Sequence, residues 1–162
     1  MILEELRTQV EVVEGEAADA LRRRYVETFV DTSSSGYQRI VETTGTYEDG
    51  PGYIGYLWEA LARWEHGSEE ELVAEMEAAN GAWFALWDLN TARNIFIPNY
   101  WKFPKASVLR GEPSLLVAGR DHLPEDVYYV PETFDRSFVL THEYDPTGTR
   151  RICVRAHPTG EA

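Results

Sequence analysis

Six short apolar runs crowd the second half of this chain, and they limit what it can fold into. They are WFALWDL (Trp83 to Leu89), IFIP (Ile95 to Pro98), SLLVA (Ser114 to Ala118), VYYV (Val127 to Val130), SFVLTHE (Ser137 to Glu143) and RICVRA (Arg151 to Ala156). Each is too short for an ordinary helix, and most are rich in β-branched or aromatic residues, so they read as strands. WFALWDL could prolong the preceding helix, but Gly81 and its shortness favour a buried strand. NTARN turns the chain after it, and DPTGT (Asp145 to Thr149) joins the last two strands as a hairpin.

The first half has the other period. Between Glu16 and Val30, Ala17, Leu21, Tyr25 and Phe29 recur every four residues, the stripe of an amphipathic helix. Arg22, Arg23 and Arg24 lie within it and fan around the axis, so they do not form a concentrated phosphate site. TSSSG (Thr32 to Gly36) ends that helix, and TYEDGPG (Thr46 to Gly52) is a turn-rich connector. Ile54, Leu57, Trp58 and Leu61 predict a second helix over Tyr53 to Trp64. Ser68 and Glu71 have the spacing of a capping box, in which each side chain satisfies a free N–H at a helix start. Leu72, Val73, Met76 and Ala79 continue that third helix, and Asn80-Gly81 stops it, because glycine takes the left-handed conformation cheaply.

Helices first and strands later predict an α+β fold, with N-terminal helices packed on one face of a C-terminal, mainly antiparallel sheet. A chain of 162 residues favours one domain, residues 1–162, with 1–15 and 157–162 loosely ordered. Its 43% apolar and 12% aromatic content supplies a core for such a domain. The single cysteine, Cys153, rules out an intrachain disulfide and a four-cysteine zinc site. The acidic start MILEELRTQVEVVEGE lacks the basic and apolar regions of a secretory signal, and no stretch has the apolar length of a membrane span. A cytoplasmic protein away from membranes is the expectation.

Charge narrows the partners. The chain carries −13, and residues 1–80 hold 18 acidic and 6 basic side chains, a net of −12. That field disfavours nucleic acid and anionic lipid and would attract a basic protein.

Three features could carry chemistry. In SFVLTHEYD, strand alternation puts Phe138, Leu140, His142 and Tyr144 on one face and Ser137, Val139, Thr141 and Glu143 on the other. His142 and Glu143 should therefore diverge unless a bulge intervenes, and a functional His142 needs a partner from another element. Asp121-His122 is a second acidic-histidine pair, and Asp88 closes WFALWDL. Asp88, His122 and His142 could converge at strand ends, as ligands for a divalent metal or as an acid/base cluster. The alternative for His142 is a strand-end histidine bonded to a backbone carbonyl. None of the HExxH, GxSxG, GxxxxGK[ST] or GxGxxG spacings is present, and no cofactor is expected. PNYWKFPK (Pro98 to Lys105) is the third feature. Its Tyr100, Trp101 and Phe103, with Trp58 and Trp87, are candidate binding aromatics, either protein anchors or walls of a small-molecule pocket. A lid packed over the core is the plainer reading of that loop.

VYYVPETFDRSFVLTHE, Val127 to Glu143, resembles the C-terminal strand pair of a group of small uncharacterised bacterial proteins. In these, a hydrophobic strand and an acidic, aromatic turn lead to a strand ending in Thr-His-Glu. Such proteins look like immunity proteins of bacterial toxin systems. The resemblance implies an acidic cytoplasmic inhibitor that masks a basic toxin or enzyme by occlusion. The competing expectation is a small enzyme or small-molecule-binding domain using an aromatic pocket and the Asp88, His122 and His142 cluster. A homo-oligomer built through the aromatic loop is a third.

Overall fold

The computed structural model describes residues 1–44, 56–89 and 99–160; the connector at 46–52 and the run IFIP lie outside them. Among the described residues seven strands form one antiparallel sheet: β1 (Glu11–Val13), β2 (Trp64–Gly67), β3 (Trp83–Trp87), β4 (Val108–Gly111), β5 (Val127–Pro131), β6 (Ser137–Tyr144) and β7 (Arg151–Ala156). Their order is β1-β4-β3-β5-β6-β7-β2. Five α-helices accompany them among the described residues: α1 (Leu3–Gln9), α2 (Gly15–Phe29), α3 (Ser35–Thr44), α4 (Glu69–Ala78) and α5 (Pro113–Ala118). The fold is α+β with an antiparallel sheet, as the order of periodicities predicts.

The helices divide between both faces of the sheet rather than gathering on one. Phe84, Leu86, Tyr128, Val130, Val139 and Val154 face Tyr25, Val26 and Phe29 of α2, Tyr37 of α3 and Leu57. Trp83, Ala85, Trp87, Tyr129, Phe138 and Leu140 face Leu6 of α1, Leu72 and Met76 of α4, and Leu116 and Val117 of α5. The central strands are buried at every position of β3 and β5. Such runs carry no alternation that would say which side stays wet. Two apolar faces need two covers: α2 and α3 supply one, and α1, α4 and α5 the other.

Several segments depart from the sequence reading for identifiable reasons. SLLVA is helical, not extended. Pro113 at its first turn supplies a helical φ, and Gly119 follows its end. Only Leu57–Ala60 of the predicted second helix is helical among the described residues, as a 3₁₀ turn, and Trp64 opens β2. Tertiary bonds hold the backbone there. Asp31 N–H donates to the Ala60 carbonyl at 2.8 Å and Ala62 N–H to the Phe29 carbonyl at 2.9 Å. Residues 1–15, expected to be loosely ordered, contain α1 and the edge strand β1, with Leu6 fully buried. Near the other end, Thr159 N–H donates to the Thr28 carbonyl at 2.8 Å.

Other expectations hold in detail. The Ser68–Glu71 capping box is formed, at 3.1 and 3.0 Å. Gly81 adopts φ +81° just beyond α4. The 145–150 hairpin turns on Asp145, whose carboxylate accepts from Thr147 and Thr149, and on Gly148 at φ +70°.

Candidate functional site

Asp88 follows β3, Asp126 precedes β5, and His142 lies near the end of β6. Trp87 pairs with Val127, and Val127 with Leu140, so the three polar residues cluster at one end of three adjacent strands. A hydrogen-bonded chain links them. Asp88, 6% exposed, accepts from the Leu57 N–H at 3.1 Å and from the Tyr128 hydroxyl at 2.7 Å. The Tyr128 oxygen accepts from the Trp58 N–H at 3.0 Å. The Trp58 indole donates to Asp126 Oδ1 at 3.1 Å. Asp126 also accepts from the His142 backbone N–H at 3.1 Å, and His142 Nδ1 lies 3.0 Å from each of its oxygens.

A bulge puts His142 there. Leu140 pairs with Cys153 but Tyr144 pairs with Arg151, so four residues of β6 advance past two of β7. Regular alternation would carry His142 to the face of Phe138 and Leu140. The irregularity instead turns it toward Tyr56, at 4.7 Å between ring centroids, and Trp58, at 6.4 Å. Thr141 pins the bulge: its hydroxyl donates to the Ile152 carbonyl and accepts from the Glu143 N–H.

Of the predicted trio, Asp88 and His142 thus join one network and His122 does not. His122 Nε2 lies 3.1 Å from the Met1 carbonyl oxygen, at the end of a short 3₁₀ turn. Asp126 takes the place expected of His122. Its signal in the sequence is positional: it precedes the strand VYYV as Asp88 follows the strand WFALW. Antiparallel neighbours bring two such ends together. No group of three His, Cys, Asp or Glu side chains with metal-binding geometry occurs among the described residues.

Burial tunes the network. It pushes the Asp88 carboxyl up to about 8, against the stabilising bonds from Tyr128 and Leu57. Burial likewise lowers the guanidinium of Arg22, 2% exposed, to about 10, with the charge of Asp88 opposing it. Arg22 donates to the carbonyls of Trp87 and Ser107 and so ties α2 to the ends of β3 and β4. Tyr56 and Tyr100 are both raised, first by burial and then by carboxylates that include Asp126. The Cys153 thiol is buried and pushed up to about 12, which makes it a poor nucleophile.

The loop aromatics pack over the core. Phe103 is 7% exposed and Trp101 is partly buried against the same cluster as Trp87. The Trp87 indole donates to the Lys105 carbonyl at 2.7 Å, and the Tyr100 hydroxyl accepts from the Glu125 N–H at 3.2 Å. Of the five candidate binding aromatics, Trp58 borders an open groove. That groove, about 330 Å³, is lined by Trp58, Glu59, Trp64, His66, Glu143, Ile152 and Val154. Register explains it: Trp64 lies opposite Ala156 and His66 opposite Val154, all on the face that α2 covers further inward. Trp64 is half exposed, on the strand that ends the sheet.

No known protein family, curated protein or solved structure gives a match to this chain.

Proposed function

We propose that the protein is a binding protein, an inhibitor that masks a basic protein partner, and that the groove beside β2 is its recognition surface. The observation that carries this reading is the groove itself: an apolar floor of Trp64, Ile152 and Val154 with carboxylates at Glu59 and Glu143. Neither carboxylate is in an ion pair among the described residues. A partner segment with alternating basic and apolar side chains meets both surfaces. Among the described residues β2 pairs only with β7, so an extended segment can also add along its other edge.

Titration with extended peptides tests it, with tryptophan fluorescence as the readout. An alternating Lys/Val peptide is expected to bind, its Glu/Val counterpart is not, and Trp64→Ala weakens binding at least tenfold. Equal binding of the two peptides, or full binding by Trp64→Ala, would contradict the reading.

A further inference from the structure

The strand-end network holds an electrostatic imbalance beside this groove. Asp126 is 8% exposed, and no Lys or Arg side chain lies within ion-pair distance of it among the described residues. Its oxygens receive N–H donors from Trp58 and His142 instead. A buried carboxylate without a cation is costly unless one is supplied. The nearby Arg151 directs its guanidinium at the carbonyls of Thr141, Leu140 and Glu125. The His142 imidazole faces the Asp126 oxygens through Nδ1, so in the neutral ring the proton sits on Nδ1 and Nε2 is the acceptor. Nε2 has no partner among the described residues, and the side chain is 32% exposed. Tyr56 and Trp58 present aromatic rings to the same histidine.

We infer that Tyr56, Trp58 and His142, set above Asp126, form a seat for one ammonium or guanidinium group. This rests on the binding reading above and names the side chain recognised: a lysine or arginine of the partner segment. Trp58 serves both sites, since it also lines the groove. The cation would donate to His142 Nε2, lie against the aromatic rings, and supply the charge that Asp126 lacks. The unpartnered acceptor and the aromatic rings, not the acidity alone, distinguish this place from other carboxylates on the surface.

The probes are N-acetyl-arginine amide and its neutral isostere N-acetyl-citrulline amide, followed by NMR at the Trp58 indole N–H and the His142 ring. The arginine compound is expected to shift both signals and to bind at least tenfold more tightly than the citrulline compound. Asp126→Asn should erase that preference. Tyr56→Leu, which leaves the hydrogen-bonded chain intact, should weaken arginine binding severalfold if Asp126→Asn fails to fold. Equal response to the two compounds, no shift at Trp58, or a proton on His142 Nε2 at pH 7.5 would overturn the inference. Trp64→Ala separates the two proposals. If it abolishes peptide binding and the Lys/Val peptide is preferred over Glu/Val while the arginine and citrulline compounds bind alike, the groove stands and the seat falls. If peptides ignore Trp64 but arginine is still preferred over citrulline, the seat stands alone.

Discussion

Asp88 is where burial and charge conflict most sharply. In an unfolded chain its carboxyl titrates near 4, and in the fold it is raised to about 8. The native state therefore holds a proton that the unfolded state releases. Its stabilising contribution is complete below about pH 4 and is lost as pH rises through about 8. Chemical denaturation between pH 5 and 8.5 should show stability falling, and Asp88→Asn should flatten that slope. The variant removes an acceptor from the Tyr128 hydroxyl, so at pH 5 it should be less stable by about 1–3 kcal/mol. An unchanged slope would mean that another group sets the pH dependence. Asp88 and His142 were both legible in the sequence as strand-end polar residues. Asp126 was not singled out, because its position next to VYYV becomes a signal only once β5 is known to lie between β3 and β6. Only pairing with β6 makes one carboxylate a ligand for His142 and leaves its neighbour outside.

Elements follow local chemistry where caps and periods are strong. α4 begins at its Ser68–Glu71 box, so Ser68→Ala should lower the thermal midpoint, at about 1 kcal/mol of stability, while leaving the rest of the fold unchanged. α5 is the opposite case. Its six residues carry no decisive period, and a buried five-residue apolar run reads equally as strand or helix. Contacts decide it: α5 packs on Leu6 of α1, and Gly119 at its end is the point of closest approach. A Cβ added at Gly119 would stand 2.7 Å from both Leu6 methyl carbons. Gly119→Ala should thus destabilise the fold by about 1–3 kcal/mol through overpacking. Combining it with Leu6→Ala should give less than the sum of the two single losses, and strict additivity would place the strain elsewhere.

Across the whole molecule, the charge asymmetry of the sequence is partly an internal affair. Glutamates of the acidic half meet arginines of the other half: Glu69 with Arg120, Glu75 with Arg136 and Arg155, and Glu11 with Arg110. The net charge stays −13, but the acidity is not confined to the surface built by residues 1–80, and Glu59 and Glu143 at the groove belong to its unpaired carboxylates among the described residues. If the groove receives a basic partner, raising salt should slow association severalfold with little effect on dissociation. Trp64→Ala should act mainly on the dissociation rate. Stopped-flow fluorescence separates the two, and a salt effect confined to dissociation would argue against steering.

The sequence by itself determined the class of the fold, the strands β3, β5, β6 and β7 of its sheet, the start and stop of α4, and the turn at Asp145. Each depends on side chains within a few residues of one another, where capping, alternation and turn chemistry act. The tertiary structure alone decided which helices cover which face, that SLLVA coils, and that β2 ends the sheet beside an open groove. It also decided that two extra residues in β6 turn His142 onto Asp126. Those outcomes depend on contacts between segments far apart in the chain. There the burial of two sheet faces and the pairing of strand ends outweigh any local preference.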